Sequence, residues 1–307
     1  EGTGPIPTVE GLLPEKPAPN WQAAPEDIPL TPEELEVCRK VRCWLGTRRF
    51  DTIPRDLLLC FVRGYGNRED WAESVCAFLD GCLRWRQTVD ADSCVEADPP
   101  PQRQLFEECV QSGVVGTDRH GHPVVVDRIG RIPVDRLLTN FDVDLFIRQQ
   151  TYNRECLRLY AALNSQKQQK RLYKSIGVLD LKGLGIAHTD RNIFKLLKSQ
   201  NACFSWYYPE SVSKIIVVNA PWLFRGIWST VKGFLHPITQ SKVIILGSDY
   251  HKTFSELGIR FDSNEGIDMP RLEGWSSKVQ RMLKEPAGQE MLRGYMPEAD
   301  VEALRQL

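Results

Sequence analysis

Apolar positions along this chain follow two different rhythms. From Thr31 to about Gln87 they recur at helical spacing, and Trp71, Val75, Phe78, Leu79, Cys82 and Leu83 form one stripe. The run Thr31-Pro32-Glu33-Glu34 supplies a capping hydroxyl, a proline at the first helical position and acids over the first turn, so a helix begins there. Two more helices are predicted over 54–64 and 68–87. An acidic, proline-bearing link at 90–104 ends this part, and the rhythm changes. Short β-branched runs at 123–127, 176–181, 214–219 and 242–247 then alternate with helical patterns near 142–164, 191–206 and 221–235. Strands so uniformly apolar predict a mainly parallel sheet, covered on both faces and joined by right-handed crossovers.

The stretch from Trp222 to Leu235 stands apart. Phe224, Ile227, Trp228, Val231, Phe234 and Leu235 form a wide apolar stripe, and the only charges are Arg225 and Lys232. An amphipathic helix of this kind ordinarily just packs on its sheet. Three features point instead to a movable apolar wall. Trp222 and Trp228 suit an interface, the two cations suit anionic headgroups, and Gly226 and Gly233 weaken the helix. A basic run, Lys167, Lys170, Arg171 and Lys174, is either a second such contact or a solvated linker.

Composition narrows the options. The 307 residues carry a formal net charge of -1, which gives no global pull toward nucleic acid or an anionic membrane. The nine cysteines are odd in number and include no C-x-x-C, which favours reduced thiols and a cytoplasmic setting. No signal peptide or membrane-spanning run is visible. The expected organisation is a proline-rich extended arm at 1–30, a helical module at 31–90, an α/β domain at 104–276 and a C-terminal helical extension at 277–307.

Catalytic signatures are weak. Gly183-Leu184-Gly185 follows a strand, but position 188 is His and the next strand ends without an acid, so a dinucleotide site is a remote alternative. No phosphate-binding P-loop and no G-x-S-x-G elbow occurs. His120 and His122 flank Gly121 in what reads as a hairpin turn rather than a metal site. No cofactor, metal or catalytic residue is expected.

Four segments resemble the CRAL-TRIO lipid-binding family, and within it the secretory-pathway phosphatidylinositol transfer proteins. Leu58-Leu59-Cys60-Phe61-Val62-Arg63 resembles a helical L-x-R-F-L-R block, with Cys60 in place of Arg. Asp118 to Val124 resembles a D-x-x-G-R-P-V hairpin, and Asp180-Leu181-Lys182-Gly183 a D-L-K-G strand end. Tyr207-Tyr208-Pro209-Glu210, Asn219-Ala220-Pro221 and Ser241-Lys242 follow the family's order and spacing.

The resemblance implies a sheet forming the floor of a lipid cavity, a gate helix closing it, and a helical module before it. It also implies a non-enzymatic carrier of one phospholipid, with phosphatidylinositol the favoured ligand and reversible membrane association. Asp118, Glu210 and Lys242 would form the inositol-phosphate site, although Tyr65 and Ser211 stand where the family has basic residues. Ser175 retains one member of a phosphatidylcholine site. Gly177, Val114 and Val125 replace its other hydroxyls and rings. Phosphatidylcholine is therefore not the expected second ligand; a sterol or other apolar molecule is. The alternative is a lipid-regulated adaptor that binds a protein partner through the arm or the helical module.

Overall fold

A computed structural model of the chain describes residues 25–66, 68–269 and 272–307. The first 24 positions of the expected arm lie outside these. Helices α1 (Pro32–Leu45), α2 (Thr47–Phe50), α3 (Arg55–Gly64), α4 (Trp71–Thr88) and α5 (Arg103–Cys109) precede the sheet. The expected cap is present at α1: Glu34 N donates to Thr31 Oγ1 at 3.2 Å, and Thr31 N donates back to Glu34 at 3.0 Å. The same Glu34 pairs with buried Arg63 of α3 at 2.9 Å, tying the two helices together.

Six strands form one sheet in the order β5-β4-β3-β2-β1-β6. They are β1 (Ser112–Thr117), β2 (Pro123–Asp127), β3 (Ser175–Asp180), β4 (Val212–Val218), β5 (Val243–Ile245) and β6 (Arg260–Phe261). From β2 to β5 the pairing is parallel; β1 runs antiparallel to both its neighbours. Connecting helices are α6 (Val134–Asn140) and α7 (Val143–Gln168), then α8 (Arg191–Tyr207), then α9 (Phe224–Lys232) and α10 (Pro237–Ser241). After β5 come α11 (His251–Leu257), α12 (Trp275–Leu283), α13 (Pro286–Glu290) and α14 (Glu298–Arg305).

The strand order explains where space opens. Each parallel crossover steps one strand further in the same direction, and right-handed crossovers that all step one way place their helices on one face. On the other face, Val124, Val126, Ile176, Val178, Ile216 and Val218 pack against Tyr250, Phe254, Ile267 and Leu272, and that side is solid.

Two elements differ from expectation. β1 and β6 are antiparallel additions that the apolar runs do not reveal. The expected helix 221–235 is shorter: α9 ends at Lys232, and Gly233, Phe234 and Leu235 continue in tighter turns, donating to Thr230, Val231 and Lys232 at 3.1, 3.2 and 3.2 Å. Gly233 weakens the helix there, and His236-Pro237 starts α10, with Ile238 N donating to His236 Nδ1 at 3.3 Å.

Candidate functional site

Between the sheet, α8 and α9 lies a cavity of about 400 Å³, within the range of small-molecule sites. Its floor is Leu179, Ile215, Val217 and Val243, the side chains that alternate with the solid face. Its roof comes from α9 and the turn after it: Phe224, Ile227, Trp228, Val231, Phe234 and Leu235 all line it. Arg225 and Lys232 point out to solvent, and Trp222 is 84% exposed. The helix thus separates an oily inner side from an outer side carrying two cations and one exposed indole.

Charge gathers in one part of the wall. Glu210 and Lys242 both line the cavity, with Lys242 Nζ 3.4 Å from Glu210 Oε2. A second ammonium, Lys174, stands 3.3 Å from the same oxygen. Burial pushes the Lys242 ammonium below its usual range, and neighbouring Lys174 adds to the depression while Glu210 resists it. Two cations and one anion leave this cluster one positive charge in excess. Glu210 also has φ of 52°, the left-handed region that a glutamate seldom occupies.

Asp118 does not line the cavity. Its carboxylate accepts from His120 N at 2.9 Å, His122 N at 2.8 Å and the His122 ring at 2.9 Å. The other ring nitrogen of His122 meets Glu26 at 2.7 Å, and Glu26 accepts from the backbone N–H groups of Tyr173 and Lys174, each at 2.7 Å. The hairpin, the segment at 25–30 and the start of β3 are therefore linked through His122. Burial opposes the imidazolium, but bonds to Asp118 and Glu26 outweigh it and raise its pKa to about 9. Ser175 is buried outside the cavity lining, its hydroxyl donating to the Ser211 carbonyl at 3.3 Å. Of the four expected headgroup residues, the structure brings Glu210 and Lys242 together and leaves Asp118 and Ser175 outside the cavity wall.

Tyr65, at the position of a basic residue in the family pattern, is stacked on Phe78 at 4.4 Å and buried. Lys174 provides a cation beside Glu210 that motif spacing did not assign to the site. Gly183 takes φ of 96° beside the Gly130 carbonyl, so the G-x-G serves a tight backbone approach. Among the described residues, no group of three or more His, Cys, Asp or Glu side chains could hold a metal ion.

A mainly parallel sheet with every crossover helix on one face, roofing an apolar hollow with a charged cluster in its wall, defines an α/β fold suited to an amphiphile. Residues 108–260 match the CRAL/TRIO domain family. It is 28% identical over 254 residues to the SEC14 cytosolic factor of Eremothecium gossypii, covering 80% of each chain. It is 26% identical over 178 residues to the phosphatidylinositol/phosphatidylcholine transfer protein SFH4 of Arabidopsis thaliana, covering 57% of this chain and 29% of that one. The crystal structure of Sfh5 shares the fold, with a TM-score of 0.60 at 16% identity over 83% of this chain and 99% of that one.

Proposed function

We propose that this protein is a non-enzymatic carrier that holds one phospholipid, phosphatidylinositol first, and exchanges it with membranes from the cytoplasm. The observation that carries this reading is the apolar cavity with Glu210 and Lys242 in its wall and Lys174 behind them, on the same carboxylate oxygen. The names of its relatives, a cytosolic factor and a phosphatidylinositol/phosphatidylcholine transfer protein, agree with it. A phosphodiester carries one negative charge and would balance the cluster's excess, while the Glu210 carboxylate accepts from ring hydroxyls. Burying acyl chains gains about 0.8 kcal/mol per methylene relative to water, but passage from bilayer to cavity is hydrocarbon to hydrocarbon and nearly cancels. Headgroup contacts then set which lipid is held, and the roof sets how fast it exchanges.

In this reading residues 104–276 are the lipid-binding domain, and 31–90 and 277–307 brace it. The roof opens on transient docking, led by exposed Trp222 and, from the loop after β3, by Ile186, which is 81% exposed. No helix among the described residues is long and apolar enough to cross a membrane. The test is vesicle-to-vesicle transfer of labelled phosphatidylinositol by the wild type and by the double variant Glu210→Ala, Lys242→Ala. Transfer by the wild type and its loss in the folded double variant are expected. Tight retention without exchange would favour an adaptor that presents the lipid, and unchanged transfer would remove both residues from the site.

A further inference from the structure

One cation in the cavity has no carboxylate within ion-pair distance. Arg154 of α7 lines the hollow, its guanidinium carbon 4.9 Å from the ring centroid of Phe204 and 6.0 Å from that of Tyr208. Among the described residues it makes no side-chain hydrogen bond and no ion pair. The contrast with its surroundings is sharp. The next residue, Glu155, is paired with Arg86 at 2.9 Å and with Arg158, and accepts from Tyr208 Oη at 2.5 Å; Arg158 is also paired with Asp56 at 2.6 Å.

Asp127, at the end of β2, lines the cavity too without pairing with Arg154. Burial pushes the Asp127 carboxyl up and the Arg154 guanidinium down, and their mutual attraction across the gap, with a Ser112 hydrogen bond to Asp127, only partly opposes this. Gln150, one helical turn before Arg154, adds an amide to the same wall. There is also room. A Cβ added at Gly177 would meet nothing within 4 Å, and Gly177 shares its sheet face with Leu179 and Ile215.

An unpaired guanidinium in an apolar hollow is costly, and the cost is recovered only when a ligand brings an anion to it. Lys242 already has Glu210, so the two charged places differ in chemistry. We infer that Arg154 anchors a second class of cargo, an acidic amphiphile whose carboxylate or phosphate lies against the guanidinium while its hydrocarbon part fills the space over Leu179, Ile215 and the α9 roof. This rests on the carrier reading above and goes beyond it by naming the charge of a cargo that is neither sterol nor zwitterion.

The test uses the delipidated full chain and displacement of a neutral apolar fluorophore by three amphiphiles of one chain length: oleate, oleoyl lysophosphatidate and oleyl alcohol. The two acids are expected to compete at least about tenfold more tightly than the alcohol, the scale of one charge-assisted hydrogen bond. In Arg154→Met that preference should fall to within about twofold while the alcohol competes as before; Arg154→Lys should keep most of it. The delipidated Arg154→Met protein should melt above the wild type, because an unpaired charge has been removed; a purely packing role for Arg154 predicts a lower melting temperature and would count against the inference. Oleate against lysophosphatidate tells carboxylate from phosphate. Acetate and inorganic phosphate should give no Arg154-dependent melting shift, and such a shift would overturn the need for a tail. Acid preference retained in Arg154→Met, or absent from a wild type that binds the alcohol and transfers phosphatidylinositol, sinks this inference alone. Failure of all three amphiphiles together with phosphatidylinositol sinks the carrier reading itself.

Discussion

The two faces of the central sheet are built from the same residue types and do opposite things. On one face Ile216, Val178 and Val126 meet Tyr250, Phe254 and Ile267 and leave no space. On the other, Ile215, Val217 and Leu179 are one residue out of phase and face a hollow. A period of two says that both faces are apolar; it does not say which one is filled. What separates them lies in the connections. Every parallel crossover sends its helix to the hollow side, and the last of these, α9, is a short amphipathic lid. The contrast continues on α7, where fully paired Glu155 and unpaired Arg154 are neighbours.

That contrast can be tested from its strongest point down. Glu155→Gln leaves Arg86 and Arg158 short of a partner inside the protein, and should cost about 3–5 kcal/mol in denaturant unfolding. The adjacent pair on β4 is the direct comparison. Ile216→Ala on the solid face should cost about 3 kcal/mol, and Ile215→Ala, whose side chain borders space already open, about 1 kcal/mol or less. Equal costs would mean that the hollow side is packed in solution.

A pH series comes next. The folded pKa of His122, about 9, lies above the ordinary value of 6.5, so its contribution is complete below pH 6.5 and disappears as pH rises through 9. The loss should be on the order of 3 kcal/mol. His122→Gln should flatten the melting curve between those limits, and an unchanged slope would discount the link from Asp118 to Glu26. The smallest effect belongs to the outer surface: Trp222→Ala should weaken vesicle binding about fivefold, near 1 kcal/mol, without changing stability.

Much of the architecture was legible in the chain itself. Strand 123–127 coincides with β2, and the cap at Thr31 is formed as its residues suggest. β1 was not legible because Gly113 and Gly116 break up the short apolar run in Ser112-Gly113-Val114-Val115-Gly116-Thr117. Its glycines are there for close approach: a Cβ at Gly116 would fall 2.0 Å from the Arg260 carbonyl oxygen of β6. The apolar stripe overstated α9 because periodicity counts side chains and ignores the backbone weakness at Gly233. At the site, the motif order located Glu210 and Lys242. The roles of Glu26, Lys174 and Arg154 depend on which residues the fold brings near them. Glu26 meets the Lys174 backbone across 148 positions, and no local pattern contains that.

The backbone at Glu210 bears on how the protein can change. A side chain held at φ of 52° carries strain of roughly 1–2 kcal/mol that glycine would relieve. Glu210→Gly would relieve that strain but leave the ammonium groups of Lys174 and Lys242, which share its carboxylate oxygen, side by side without an acid, so a net loss of stability is expected. The strained backbone is thus held in place by the two lysines it serves, so evolution cannot relax this turn without also giving up the group that reads the cargo.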